Sequence, residues 1–179
     1  MTSAALVGMV ALVLAVQTVD TRACSPQTPA TPTPPTQTPP TGNGLTTSDG
    51  VRFAIETVVT NLEIPWSMAF APDGRLFVTE RPGRVRTIDM TTRRSELALT
   101  LDDVFTQGEA GLLGLALDPQ FSQNHLVYLY YSARFGSGGV NRVVRYREAG
   151  SRLGEAVVLL DGVPAANIHD GGRIRFGPD

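Results

Sequence analysis

Hydrophobic residues along most of this chain come in short runs that alternate with polar residues and are bounded by Gly, Pro and Asp. Eight such runs predict β-strands: residues 51–59, 75–80, 83–89, 112–117, 126–131, 140–147, 156–160 and 173–176. Turn-forming residues separate many of them. Outside the first 24 residues, no window sustains a helical period beyond about two turns. The pattern therefore predicts a folded region that is nearly all β.

One turn motif recurs ahead of new strands and decides between the all-β architectures. It reads FAPDG at its first occurrence, ALDPQF at its second and FGPD at its third, and its prolines, Pro72, Pro119 and Pro178, lie 47 and 59 residues apart. A repeat of about 40 to 50 residues is typical of the four-stranded blades of a β-propeller. A β-sandwich, the alternative, would not explain the recurring turn. We expect two blades and the start of a third, from the front part of a larger protein.

The residues before this region predict export. Residues 4–16 form an uncharged apolar run of thirteen, shorter than the roughly 20 residues of a membrane span. Residues 1–24 are therefore predicted to be a secretory signal peptide, which implies an extracytoplasmic location in the periplasm or at the cell surface. The run leads to the only cysteine, Cys24, which is the candidate lipidation site of a bacterial lipoprotein; ordinary cleavage without a lipid stays open.

Composition and charge restrict what the rest of the chain can form and bind. Residues 25–50 are predicted to be a disordered Pro/Thr-rich linker, because residues 25–44 contain seven prolines and hardly any apolar side chains. The folded domain then covers residues 51–179. A net charge of −2 gives no sign of a nucleic-acid partner. The acidic residues lack the spacing of a calcium-binding EF-hand loop, and no metal ligand is predicted in this chain.

Three motifs together resemble a known family. Residues 61–85 contain NLEIPWSMAFAPDGRLFVTERPGRV, residues 108–121 read GEAGLLGLALDPQF, and residues 169–179 read HDGGRIRFGPD. In order and spacing they are similar to the glucose/sorbosone dehydrogenase family, the soluble sugar dehydrogenases that use pyrroloquinoline quinone (PQQ). The resemblance covers residues 51–179. It implies a six-bladed propeller with PQQ near its axis beside a calcium ion, most of whose binding residues lie in later blades.

The resemblance also assigns site residues. His169 occupies the position of the family's base, which removes the proton of the C1 hydroxyl of an aldose while hydride passes to the quinone. Imidazole suits this task because its ordinary pKa lies near neutrality, and the hydride acceptor must be a cofactor. Glu109 and Arg173 are expected near the substrate or cofactor, although a solvated loop carboxylate remains an equal interpretation of Glu109. Glu80 and Arg81 are predicted to be an exposed ion pair.

The implied function is that of a PQQ-dependent oxidoreductase that converts aldoses to lactones and passes electrons to an external acceptor. The fragment alone is expected to be inactive, because two blades cannot close a ring and leave open strand edges. Two alternatives stay open. One is a non-catalytic propeller of the same family that binds a partner at the cell surface. The other is a lactonase-type hydrolytic propeller, which needs metal-binding carboxylates at its axis and no PQQ.

Overall fold

The computed structural model describes residues 13–14 and 44–178. Cys24 and most of the predicted signal peptide and linker lie outside the described residues. The chain falls into two compact units that meet in sequence between Val58 and Val59. Within the described ranges, no helix has the length and apolar character needed to cross a membrane.

Among its described residues, the smaller unit contains four two-residue strands. They are β1 (Val13–Leu14), β2 (Leu45–Thr46), β3 (Arg52–Phe53) and β4 (Glu56–Thr57). β1 pairs antiparallel with β4, and β2 pairs antiparallel with β3. The single strand predicted over residues 51–59 is thus two short strands, because its two halves pair with different partners.

The larger unit, over residues 59–178, contains two four-stranded antiparallel sheets. The first blade consists of β5 (Pro65–Phe70), β6 (Arg75–Glu80), β7 (Arg84–Asp89) and β8 (Ser95–Thr100). The second blade consists of β9 (Leu112–Leu117), β10 (Leu126–Phe135), β11 (Gly138–Ala149) and β12 (Arg152–Pro164), with the short helix α1 (Phe121–Asn124) between its first two strands. In each sheet the strands are neighbours in chain order. This up-and-down arrangement confirms the predicted all-β propeller fold.

The apolar residues of both blades meet in one core. Phe77 on β6 is fully buried, and its ring packs edge-on against Phe121 of α1 with 5.7 Å between ring centroids. Leu112, Leu129 and other aliphatic side chains of the second blade belong to the same buried cluster. Burying each of these large side chains stabilises the fold by about 1.5–3 kcal/mol. The shared core fixes the two blades relative to each other, and with them the loops at their ends.

The strand predicted over residues 173–176 is absent from the structure. This segment has no strand assignment and pairs with no other strand among the described residues. It runs directly against β9 instead, and a Cβ added to Gly114 would lie 1.9 Å from the carbonyl oxygen of Gly172. A strand is defined by ladder hydrogen bonds, which this segment does not form.

Candidate active site

Two loops at the same end of the blades come together around His169. The first loop, residues 107–111, leads into β9, and the second, residues 165–172, follows β12. The backbone N–H of Glu109 donates to the carbonyl oxygen of Asn167 at 2.9 Å. In return, Oε2 of Glu109 accepts the backbone N–H of His169 at 2.8 Å. Glu109 therefore holds the second loop through both its backbone and its side chain.

The approach of the two loops requires glycine at position 108. A Cβ added there would lie 1.9 Å from the carbonyl oxygen of Asn167, and the φ angle of Gly108 is +57°. Any larger residue would push the two loops apart, and the left-handed backbone would disfavour it as well. The glycine that precedes Glu109 is therefore what lets Glu109 reach the loop of His169.

Arg81 fixes the first loop to the first blade. Its Nη1 donates to the carbonyl oxygens of Gly108, at 2.5 Å, and of Ala110, at 3.1 Å. Its own carbonyl oxygen accepts the N–H of Leu112 at 2.9 Å. The prediction of an exposed Glu80–Arg81 ion pair is wrong, since Glu80 is fully buried and pairs with arginines on β7. Sequence reasoning missed the role of Arg81 because its partners lie almost thirty residues away.

Asp170 closes the second loop from inside the protein. Its Oδ1 accepts the N–H of Ala166 at 2.9 Å and the Nδ2–H of Asn141 at 3.2 Å. Its backbone carbonyl accepts the Tyr130 hydroxyl at 2.7 Å. Asn141 is itself fixed by the hydroxyl of Ser132, which donates to its Oδ1 at 2.6 Å. A network of buried polar groups on β10 and β11 thus anchors the residue next to His169.

The second oxygen of this carboxylate is unusual. Asp170 is only 6% exposed, and its buried Oδ2 has no hydrogen-bond partner among the described residues. Buried polar atoms nearly always have a partner, so an oxygen without one is an exception that requires an explanation. Burial, followed by the charge of Asp170, raises the pKa of the Tyr130 hydroxyl, which keeps this group protonated as a donor at neutral pH.

A cavity of about 480 Å³ opens between the loops and the first blade. Its lining combines carboxylates, one cation and apolar side chains: Ile64, Trp66, Arg81, Gly108, Glu109, Leu113, Asp170 and Gly171. The exposed carboxylate of Glu109 near an indole ring is a combination that suits a polyhydroxylated ligand, because its hydroxyls can donate while its C–H faces pack.

The predicted site residues are distributed unevenly around this cavity. Glu109 lines it. His169 lies at its edge, because it precedes Asp170 in the chain and is hydrogen-bonded to Glu109, and both of those residues line the cavity. The imidazole is exposed and makes no hydrogen bond within residues 44–178. Arg173 lines a second cavity of about 560 Å³ instead, together with Phe176, and Trp66 borders both. The structure therefore brings Glu109 and His169 together and leaves Arg173 in the neighbouring cavity, which shares Trp66 with the first.

Comparison with known proteins agrees with this arrangement. Residues 62–179 match the sequence model of the family described as Glucose / Sorbosone dehydrogenase. The chain belongs to the glucose/sorbosone dehydrogenase family. The match spans all the elements of both blades and both loops of the candidate site, so the family prediction made from three motifs is confirmed.

Three relatives illustrate the likeness to this family. A putative oxidoreductase (glucose dehydrogenase) of Thermus thermophilus is 46% identical with a TM-score of 0.63, over 69% of this chain and 36% of that one. The PQQ-bound aldose sugar dehydrogenase of Streptomyces coelicolor is 36% identical with a TM-score of 0.61, over 69% and 37%. Quinoprotein glucose dehydrogenase B of Acinetobacter calcoaceticus is 26% identical over 140 residues, which are 71% of this chain and 29% of that protein. The chain thus spans about a third of the length of these relatives.

Proposed function

We propose that the protein, at its full natural length, is a PQQ-dependent dehydrogenase that oxidises the C1 hydroxyl of an aldose to a lactone. The observation that carries this proposal is the position of His169 at the edge of the cavity, on a loop held by Glu109 from one side and Asp170 from the other. Membership of a sugar dehydrogenase family supports the reaction class. An external electron acceptor completes the reaction.

The residues of this chain would bind the sugar and move one proton. The cavity offers the exposed carboxylate of Glu109 to sugar hydroxyls and the face of Trp66 to the ring. His169 would accept the proton of the C1 hydroxyl at an imidazole nitrogen as the C1 hydride leaves. Its ring has no competing partner among residues 44–178 and is exposed, so it is free to take that proton and release it to solvent.

The residues around the second cavity fit PQQ, a flat quinone that carries carboxylates. Trp66 and Phe176 supply flat apolar walls, and Arg173 supplies a cation. The guanidinium of Arg173 is exposed and has no hydrogen-bond or ion-pair partner in the described part of the chain. We therefore place Arg173 and Trp66 as the residues that would hold the cofactor. When bound, PQQ supplies the hydride acceptor that no side chain can provide.

A calcium ion is proposed only because the family resemblance implies one. Its ligands are oxygen atoms, and six to eight of them are needed. Within residues 13–14 and 44–178, no three His, Cys, Asp or Glu side chains cluster around one point. The resemblance puts the calcium ligands in later blades, and no role of the residues described above depends on the ion.

The activity test compares the two histidines of the chain in the protein at its full natural length. Both have left-handed backbones, with φ of 63° at His169 and 54° at His125. Asparagine tolerates this conformation, so His169→Asn removes the imidazole without disturbing the loop. With PQQ, calcium, glucose and a redox dye, we expect His169→Asn to lower dye reduction by about 10²- to 10⁴-fold. His125→Asn should leave the rate unchanged.

The same assay separates the alternatives. Wild-type dye reduction that survives in His169→Asn would remove His169 from the mechanism. Lactone hydrolysis that needs a metal ion but no PQQ would instead identify a hydrolytic propeller. Absence of both activities from protein loaded with PQQ and calcium would favour a binding propeller at the cell surface.

We also propose that the protein is exported and that Cys24 is its lipid anchor. The proposal is supported by the apolar run over residues 4–16 and by the single cysteine that follows it. Expression in a bacterial host with an alkyne-labelled fatty acid should give a labelled, membrane-associated protein. Cys24→Ser should lose the label. Label that persists in Cys24→Ser would refute the anchor, and protein retained in the cytoplasm would refute export.

A further inference from the structure

His169 has a backbone conformation that is unfavourable for a residue with a Cβ atom. Its φ angle is 63°, in the left-handed region where a Cβ crowds the backbone. Residues other than glycine remain there only when the surrounding structure holds them. The groups that hold His169 therefore determine where its imidazole stands.

We propose that Glu109 and Asp170 are positioning residues that hold His169 from its two sides and set the place of its ring at the cavity. We call the hydrogen bonds of Glu109 and Asp170 to this loop the clasp. The catalytic importance of the His169 ring rests on the proposed function, whereas the clasp consists of hydrogen bonds that the fold makes with or without that function. Neither carboxylate needs to touch a reacting atom for this role.

The Asp170 side of the clasp is buried and fixed. Oδ1 of Asp170 accepts the N–H of Ala166, four residues earlier, and so closes the loop that contains His169 into a turn. The same atom accepts from Asn141, which extends from β11 and is 2% exposed. A side chain that bonds to its own loop and to a buried strand gives the loop one conformation.

The Glu109 side of the clasp is exposed but bonds to His169 itself. Oε2 of Glu109 accepts the His169 N–H, and the N–H of Glu109 donates to Asn167 two residues earlier. These two bonds fix the backbone at the left-handed residue itself and two residues before it. A carboxylate acceptor makes the bond to the His169 N–H charge-assisted, which strengthens it over a neutral one.

Conservative variants separate positioning from direct contact. Asp170→Asn keeps a side-chain oxygen for the two donors and places an amide nitrogen where Oδ2 has no partner. Glu109→Gln likewise keeps an acceptor for the His169 N–H. Both should therefore retain the clasp, whereas Asp170→Ala and Glu109→Ala remove it. Glu96→Ala, an exposed glutamate on β8 that pairs with Arg94, is the matched control.

The first measurement is hydrogen exchange of the His169 amide, in the protein at its full natural length with ¹⁵N-histidine. His169→Asn assigns the signal by its loss. We expect Glu109→Ala to speed exchange of this amide about tenfold or more, and Asp170→Ala to speed it as well, because the loop opens. The amide and asparagine variants, and Glu96→Ala, should stay close to wild type. Unchanged exchange in both alanine variants would refute the clasp, and this holds even if the protein has no dehydrogenase activity.

The second measurement is the kinetics of sugar oxidation. A misplacement of about 1 Å lowers rates by up to about 10²-fold, so we expect Asp170→Ala to lower kcat about 10- to 100-fold with KM changed less than about threefold. Asp170→Asn should restore most of kcat. Faster exchange with an unchanged kcat would show that the clasp does not serve catalysis. A large loss of kcat in Asp170→Asn with normal exchange would assign Oδ2 to direct ligand contact and overturn the positioning role.

Discussion

Glu80, at the end of β6, and Asp170, in the loop after β12, are both buried carboxylates, yet their surroundings differ in one respect. Oε1 of Glu80 accepts the N–H of Glu63 at 2.5 Å, and its Oε2 accepts Nε–H groups from Arg84 at 2.9 Å and Arg86 at 2.7 Å. Both oxygens are thus occupied. In Asp170 only Oδ1 is occupied, and the buried Oδ2 has no partner among the described residues.

The difference separates a carboxylate that holds the fold from one that belongs to a site. Burial alone would raise the pKa of Glu80, but the bonds from Arg84, the Glu63 N–H and Arg86 outweigh it and lower that pKa. The charge of Glu80 is therefore fully compensated inside the first blade. Asp170 lines a cavity and has one buried oxygen without a partner among the described residues, and incomplete satisfaction of this kind concentrates where a protein trades stability for function.

The largest effect is expected from removing the charge of Glu80. Breaking a buried ion pair costs about 3–5 kcal/mol. Arg84 and Arg86 keep some solvent contact, with side chains 29% and 26% exposed, so Glu80→Gln should fall near the lower end, about 3 kcal/mol. Denaturant unfolding of the protein at its full natural length measures this loss.

Glu63→Gln is the control, because Glu63 pairs with the same Arg84 but is 57% exposed. An exposed pair contributes about 0–1 kcal/mol. Equal losses in the two variants would mean that burial does not distinguish Glu80, and the comparison with Asp170 would fail.

Replacing Gly108 tests the other half of the comparison, the loops of the candidate site, and a second glycine is the control. Gly108 and Gly136 have nearly the same φ, +57° and +56°, but an added Cβ meets the Asn167 carbonyl only at Gly108. Gly136→Ala, in the hairpin between β10 and β11, should cost about 1 kcal/mol from the strain of a Cβ on a left-handed backbone. Gly108→Ala should cost about 1 kcal/mol more, because the two loops must separate. Chemical denaturation gives both values, and equal losses would show that the loops do not need their close approach.

Much of the fold could be predicted because it depends on local pattern. β6 and β9 begin and end where the alternation and the turns indicated. β5 was missed because it starts at Pro65 and lies at a sheet edge, where a residue without an N–H is tolerated. β8 was missed because, as the opposite edge, it exposes half of its six residues and lacks a strong apolar signal.

The site could be predicted only in part. His169 followed from the family motif, but the role of Asp170 depends on Asn141 and Tyr130, which lie 29 and 40 residues away in sequence. No local pattern encodes such a contact. The one local signal was the tendency of an Asp before glycines to bond to the backbone of its own loop, and the bond to Ala166 is of this kind.

Acid should weaken the first blade through Glu80. Its pKa in the folded protein is lowered, so the stabilisation that it provides is complete above the unfolded pKa and is lost as pH falls through the folded pKa. Wild-type stability should therefore fall more steeply than that of Glu80→Gln as pH is lowered from the ordinary range of a glutamate. Urea midpoints over a pH series test this. Parallel curves would assign the acid sensitivity to other groups.

The smallest effect comes from two tyrosines of β10 that share one face of the strand. The Tyr130 hydroxyl donates to the Asp170 carbonyl at 2.7 Å, and the Tyr128 hydroxyl donates to Oδ2 of Asp118 at 3.0 Å. Replacing either tyrosine with Phe removes one hydrogen bond and should cost about 0.5–1.5 kcal/mol. Unfolding experiments should therefore not tell the variants apart. Exchange of the His169 amide should, because only Tyr130→Phe releases a group bonded to its loop. Similar acceleration in Tyr128→Phe would mean that the loop responds to stability in general rather than to the Asp170 network.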